Sequence, residues 1–239
     1  MSFNKKSSIV ILTGAGISAE SGIATFRGTD GTWENQRLED VATPQAFLKN
    51  RQRVYQFYNE RRRLAHLAQP NSAHLALSKL EAHCEGKFLL VTQNVDDLHE
   101  KAGSRQIVHM HGSLNSALCL SCGARGVWQG DMDSSSSCPS CHIKGNLRPD
   151  IVWFGEMPYQ MQAIENALSS CDLFISIGTS GQVYPAAQFV VLAQASGAEC
   201  IELNMDPNEA YSSIFHEVII GPASEIVPTF VQSLLSKNF

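Results

Sequence analysis

Four of the seven cysteines stand in two pairs, Cys119-Leu-Ser-Cys122 and Cys138-Pro-Ser-Cys141, with fifteen residues between the pairs. A C-x-x-C turn presents two sulfurs to one ion, and two such turns close a tetrahedron, the arrangement of a four-thiolate zinc ribbon. With every ligand position taken by the chain, no place is left for water or substrate, so the spacing predicts one structural zinc rather than a catalytic one. The ion would contribute folding energy to its own lobe, because the stretch DMDSSSSCPSC from Asp131 has too little apolar content to pack unaided. Two disulfides or free thiols are the alternatives. His142, beside the last cysteine, reads as a bystander.

A second constellation is Gly14-Ala15-Gly16-Ile17-Ser18-Ala19, of the form G-x-G-x-x-A, which follows an apolar run and is predicted to open a helix. Small residues there let backbone N–H groups and a helix N-terminus approach a pyrophosphate, although they could equally serve tight packing alone. A dinucleotide-dependent dehydrogenase would add a carboxylate at the end of a second strand about 20 residues on. That distance falls at Glu34 in a loop, so hydride transfer fits poorly.

Other candidates are single side chains. His111, before Gly112-Ser113, suits a general base, since imidazole has an unperturbed pKa of about 6.5. A satisfied structural histidine is the alternative, and His109 would share its face of an extended segment. Asn94 and Asp96 end a strand, where they could meet a ligand or cap the helix before Leu98. Tyr58 and Arg61 are three apart on a helix, so phenol and guanidinium can converge on one carboxylate. Arg61 also opens Arg61-Arg62-Arg63, the longest basic run, which by itself reads as a solvated helix face.

The elements that would position these residues follow from periodicity. Short β-branched or apolar runs are predicted as strands at Ser8 to Leu12, Lys87 to Thr92, Gln106 to His109, Asp172 to Ile177, Glu199 to Leu203 and Val218 to Ile220. Helical periodicity lies between them at Ser72 to Cys84, Tyr159 to Ser170 and Ala186 to Ser196. Alternation of this kind predicts an α/β fold, a Rossmann-like doubly wound parallel sheet whose ligands gather beyond the carboxyl ends of the strands. Two stretches break the alternation: Phe26 to Gln69, a polar loop and a long helical run without a strand, and Gly112 to Pro149, with little periodicity. They are expected to form a smaller lobe of zinc-ribbon module and helical insertion. The expected division is 1–27, 70–111 and 150–239 for the Rossmann-like domain, and 28–69 and 112–149 for the small lobe. Ile151 to Phe154 could be a buried strand.

Composition bounds the function. The 239 residues are 44% hydrophobic and 17% charged, with a mean hydropathy of -0.10, as in an ordinary soluble globular protein. A net charge of -5 argues against a nucleic-acid binder that neutralises phosphates. Lys5 and Lys6 precede an apolar run as in a signal peptide, but Ile9 to Leu12 is too short and runs into the glycine turn. The chain is therefore read as cytoplasmic, with no membrane partner, and Cys84, Cys171 and Cys200 as core residues rather than disulfide partners.

The string GAGISAESGIATFRGTDGTWEN from Gly14 to Asn35 resembles the cofactor signature of the sirtuin family. Further matches follow in order: Thr92 to Asp96 (TQNVD), His111-Gly112-Ser113, the cysteine quartet, Pro149 to Glu156 (PDIVWFGE), Gly178-Thr179-Ser180, Val183 to Ala186 (VYPA) and Glu202-Leu203-Asn204. The resemblance runs from about Ile9 to about Ala223. Many sirtuins carry Pro-Asp-Phe-Arg where this chain reads Ala24-Thr25-Phe26-Arg27, and the Thr-Phe-Arg form resembles the bacterial and mitochondrial class that removes acidic acyl groups.

The resemblance implies an enzyme that consumes NAD to remove acetyl, succinyl or malonyl groups from protein lysines. The acyl oxygen attacks the anomeric carbon of the nicotinamide ribose, nicotinamide leaves, and a base-activated ribose hydroxyl takes the acyl group. The products are free lysine, nicotinamide and acyl-ADP-ribose. It selects His111 as the base, with Asn94 also catalytic, and gives Gln93 and Asn94 to the nicotinamide ribose and Asp96 to the carboxamide. Gly14, Ala15, Gly16, Ile17, Ala19, Glu20, Thr25, Phe26, Arg27 and Trp33 would contact the cofactor from the loop side. Gly178, Thr179, Ser180, Asn204, Met205, Asp206 and Ala223 would contact it from the far strands. Val152, Trp153, Phe154 and Gly155 would receive the peptide, and Tyr58 with Arg61 would read an acidic acyl group. Acylated proteins would be the partners, of a chain whose oligomeric state stays open, monomer included. Protein ADP-ribosyl transfer is the alternative activity. A zinc-ribbon binding module fits less well, because Cys119 to Cys141 holds only Arg125 against Asp131 and Asp133.

Overall fold

The computed structural model describes residues 4–24, 32–33, 36–207 and 213–238. Six strands form one parallel sheet: β1 (Ile9–Thr13), β4 (Phe88–Thr92), β5 (Ile107–His109), β9 (Leu173–Ile177), β10 (Glu199–Asn204) and β11 (Glu217–Ile220). Their order, β11-β10-β9-β1-β4-β5, reverses direction at β1. There the strand pairs with β4 on one side, Thr13 opposite Thr92, and with β9 on the other, Thr13 opposite Ile177. This is the doubly wound order, and its switch point opens a crevice beside β1.

Residues of β1 alternate between two cores, as the period of a strand requires. Ile9 and Ile11 join Leu77, Leu80, Ile175 and Val227, beneath α4 (Ser72–His83) and α8 (Ala223–Asn238). Val10 and Leu12 join Ile164, Leu168, Phe174 and Val190, beneath α6 (Met161–Leu168) and α7 (Phe189–Ala195). Asn71 caps α4, its side chain accepting from Ala73 N while the His74 ring meets the Asn71 N–H.

A third core lies off the sheet. It joins α1 (Leu38–Val41), α2 (Pro44–Lys49) and α3 (Arg51–Leu67) to an antiparallel sheet of β6 (Gly112–Cys119), β7 (Arg125–Val127) and β8 (Leu147–Ile151). Phe47, Val54, Tyr55, Tyr58, Leu114, Leu147 and Trp153 are among its members. No helix among the described residues is long and apolar enough to cross a membrane.

The strands of the parallel sheet and α4, α6 and α7 lie where periodicity puts them, α8 falls outside the stretches it marks, and four expectations change. The glycine turn opens two short 3-10 turns, Ala15–Ile17 and Ala19–Ser21, instead of an α-helix, because Gly22 ends them at a left-handed φ of 82°. The first insertion is not strand-free: β2 (Thr32–Trp33) and β3 (Gln36–Arg37) pair antiparallel. β8 ends at Ile151, so Val152 to Phe154 lie outside the strand. Finally, only Arg63 of the arginine run faces water, paired with Asp131. Arg61 and Arg62 are 6% and 4% exposed, and Arg62 donates to Leu114 O, Asn59 Oδ1 and Gly130 O. That face of α3 is pressed against β6 and the loop before Cys138, where carbonyls replace water around the guanidinium.

His74 on α4 faces His99 on α5 (Leu98–Lys101) at 4.9 Å between ring centroids, both fully buried beneath β1, with His99 Nε2 3.0 Å from Thr13 Oγ1. Burial lowers both pKa values, that of His74 from 6.5 to about 4. The folded chain holds His74 neutral while the unfolded chain protonates it below 6.5, so its stability contribution is present above 6.5 and lost as pH falls toward 4. Urea unfolding at pH 7 and pH 5 should therefore show a decline that His74→Gln reduces by about 2 kcal/mol. An unchanged decline in the variant would refute this account of His74.

Candidate active site

Beyond the carboxyl ends of β1, β4, β5 and β9, the chain converges on the crevice. Gly14 N donates to Ile177 O at 3.0 Å and Gly16 N to Gly178 O at 2.8 Å. A Cβ on Gly16 would lie 2.7 Å from Gly178 Cα, and one on Gly178, whose φ is +58°, 2.5 Å from Ile17 N. The two turns thus touch backbone to backbone, and only glycine permits it. Gln93 Nε2 donates to Thr179 Oγ1 at 2.9 Å, and Asn204 Nδ2 to Thr179 O at 2.8 Å, so the turn after β9 is held from both sides.

Asn94 Nδ2 donates to Gly14 O at 3.0 Å and lies 3.2 Å from Ser18 Oγ, which in turn donates to Asp96 Oδ2 at 3.1 Å. Leu98 N donates to the other Asp96 oxygen at 3.1 Å, so the side chain also satisfies a free N–H at the start of α5. Burial raises the Asp96 pKa, against the two donors that lower it. Ser18, which links the two candidates, is not among the residues that the sequence marks, and its only signal there is a hydroxyl within the glycine turn.

The two histidines separate by their partners. His109 has both ring nitrogens engaged, Nδ1 with Asn94 O at 3.1 Å and Nε2 with Glu100 Oε1 at 2.7 Å. Burial opposes its charge, but Glu100 outweighs burial and raises its pKa. His111 Nδ1 lies 3.1 Å from Gln93 O. A carbonyl only accepts, so Nδ1 carries the proton and Nε2 keeps a lone pair. Burial lowers the His111 pKa, keeping the ring neutral with the Nε2 lone pair unprotonated.

Val152 to Gly155 runs between the lobes. Three of its N–H groups are engaged: Val152 N to His111 O at 2.9 Å, Phe154 N to Ala42 O at 3.0 Å, and Trp153 N to Glu156 Oε2 at 2.8 Å. The Trp153 indole N–H donates to Tyr58 OH at 3.0 Å. Tyr58 is 0% exposed, and Arg61, one turn along, lays its guanidinium 3.2 Å from the Phe57 ring centroid and donates to Phe57 O.

Other candidates are scattered. The Glu20 carboxylate accepts from Ser224 N at 2.8 Å and from Ser224 Oγ, at the start of α8, so its side chain is committed to that helix. Ile17 and Ala223 lie in the first core, Met205 is exposed, and Ser180 Oγ accepts from Gln182 N at 3.4 Å. Thr25, Phe26, Arg27 and the side chain of Trp33 lie outside the described residues.

The sulfurs of Cys119, Cys122, Cys138 and Cys141 all lie within 4.8 Å of one another, and none of the four cysteines is in a disulfide. Cys119 and Cys141 are 3.7 Å apart and Cys122 and Cys138 3.8 Å. A tetrahedron with zinc–sulfur bonds of about 2.3 Å has edges of about 3.8 Å. The quartet therefore fits a zinc ion with no open position.

The sequence pattern of the Sir2 family matches residues 14–185. An NAD-dependent protein deacylase of Pasteurella multocida is 52% identical over 233 residues, covering 97% of this chain and 99% of that protein. A Sir2 homologue solved with NAD has a TM-score of 0.87 at 39% identity, over 97% of this chain and 91% of that one. A Sir2 protein bound to acetylated peptide has a TM-score of 0.80 at 27% identity, over 94% and 92%.

Protein purified without added metal should return one zinc per chain on elemental analysis. Cys138→Ala should aggregate rather than show a clean catalytic defect, because the ion orders a polar lobe. A metal-free chain that stays folded would count against the structural role.

Proposed function

The chain belongs to the Sir2 family and is an NAD-dependent protein deacylase, and on that premise we propose that His111 is its general base and that it removes succinyl and malonyl as well as acetyl groups from lysines. Bound NAD supplies the electrophilic ribose carbon and the hydroxyl that carries the acyl group away. The turns at Gly14, Gly16 and Gly178 leave no room for a Cβ and spend their N–H groups on Ile177 O, Gly178 O and Leu203 O, so their contact would shape the crevice that takes the cofactor. Gln93 and Asn94 would hold the nicotinamide ribose and Asp96 the carboxamide. Ser180, Asn204, Met205, Asp206 and Ala223 would line the adenosine side. Val152 to Gly155 would receive the peptide. A cytosolic location is supported by seven cysteines of which none is in a disulfide.

The observation that carries the base assignment is the His111 ring itself. Its Nδ1 is tied to Gln93 O, and no described residue hydrogen-bonds Nε2, whereas His109 has both nitrogens engaged. A neutral Nε2 can take a proton from a ribose hydroxyl, and the same carbonyl keeps the ring from turning.

The acyl range is supported by the face of α3 that carries Tyr58 and Arg61. Both are buried instead of solvated, Tyr58 against Trp153 and Arg61 over the Phe57 ring. A guanidinium fork binds a carboxylate bidentately and a phenol adds a third donor.

His111→Ala should cost about 10²–10⁴ in rate with NAD binding and circular dichroism retained. Base function should be present above the folded His111 pKa and lost as pH falls through it, so the acid limb of kcat/KM should have its midpoint below 6.5. A midpoint above 6.5 would point to His109 instead, whose pKa is raised. Arg61→Met and Tyr58→Phe should raise the KM for a succinyl-lysine peptide, relative to the acetyl peptide, about tenfold, the scale of one charge-assisted hydrogen bond. Equal losses on both peptides would mean that the pair holds the fold rather than reads the acyl group.

A further inference from the structure

Trp153 belongs to the segment between the lobes, yet its indole N–H points away from that segment's backbone and onto the Tyr58 phenol at 3.0 Å. An indole only donates, so the phenol oxygen accepts. A phenol hydrogen lies close to the ring plane, on one side of the oxygen or the other, and the side facing Trp153 is taken by the indole hydrogen. The Tyr58 proton is thereby fixed on the far side. Burial raises the Tyr58 pKa, so the proton stays on at any working pH.

The indole cannot turn to release the phenol. Arg148 lies with its guanidinium carbon 3.3 Å from the Trp153 ring centroid. Arg148 is held in turn by both Glu156 oxygens, at 2.6 and 2.9 Å, and by Ile151 O at 2.6 Å. Glu156 Oε2 also accepts from Trp153 N at 2.8 Å, and Phe47 packs 5.4 Å from the indole. Backbone, ring face and ring N–H of Trp153 are all fixed.

We propose that Trp153 is a positioning residue for acyl choice: its indole N–H, braced by Arg148 and Glu156, orients the Tyr58 O–H as a donor to the free carboxylate of an acidic acyl group. The inference rests on the reading that Tyr58 recognises that carboxylate. A phenylalanine in this place would keep the apolar packing and lose the donor that holds the phenol hydrogen away from residue 153.

The test is a double-mutant cycle of Trp153→Phe and Tyr58→Phe, read as the KM for a succinyl-lysine peptide divided by that for the same peptide acetylated. Any effect of Trp153 on peptide seating falls on both substrates and divides out. Trp153→Phe should raise the ratio about three- to tenfold, the worth of one hydrogen bond, and should raise it no further in the Tyr58→Phe background. If Trp153→Phe does not fold, a benzothienylalanine at 153, which replaces the N–H by sulfur with the ring outline kept, takes its place. A ratio that responds to Tyr58→Phe but not to Trp153→Phe overturns the positioning role alone. So does a Trp153 effect that adds in full to that of Tyr58. A ratio that ignores Tyr58→Phe overturns the acyl-range reading, and the positioning role with it.

Discussion

The crevice depends on one contact, the passage of the turn after β1 across the turn after β9 with backbone against backbone. A Cβ on Gly14 would come within 2.8 Å of Gly178 O, one on Gly16 within 2.7 Å of Gly178 Cα, and one on Gly178 within 2.5 Å of Ile17 N. Real side chains do not come this close, so no L-residue could stand at any of the three without moving a strand end. Because the turns lock, Gly14 O is fixed where Asn94 can donate to it, and Thr179 where Gln93 and Asn204 can. The polar groups at the sheet edge therefore inherit their positions from three residues that have no side chain.

The two lobes meet through His111 and the start of β6. The His111 ring turns toward β4 and its carbonyl toward Val152, so one residue faces both the crevice and the segment between the lobes. Gly112, at a φ of +83°, then lets β6 start hard against Asp150, where a Cβ would meet the Asp150 carbonyl at 2.0 Å. Asp150 itself is gripped by Ser116 and Tyr159 hydroxyls and by Arg125. The zinc quartet closes the other end of the same small sheet, at Cys119 and just before Leu147.

How much of this is legible in the sequence depends on which forces act locally. Parallel strands buried on both faces are continuous apolar runs, so Ile9 to Leu12 and Leu173 to Ile177 announce themselves. The quartet is legible because its chemistry is in its spacing. β8 is not, since Leu-Arg-Pro-Asp-Ile looks like loop until Arg148 finds Glu156 and Asp150 finds Tyr159. Arg61 and Arg62 mislead for the same reason: a charged run signals water unless distant groups such as Leu114 O, fifty-two positions from Arg62, replace the water. His109 and His111 share a strand face in the sequence, and only their partners tell them apart. The local pattern therefore reports burial of apolar groups well and burial of polar groups poorly, because the second is decided by residues far along the chain.

Strand order also governs the sequence of assembly during synthesis. β1 leaves the ribosome before either of its partners, since Ile9 pairs with Phe88 on one side and with Leu173 on the other. Its first neighbour emerges only after α1 to α4, and its second after the whole antiparallel sheet. Until then one edge of IVILT, among the most apolar segments of the protein, stays open to any strand that comes near. The glycine contact at the crevice cannot close until β9 has emerged, so a nascent chain can acquire its cysteine module before it can acquire a dinucleotide site.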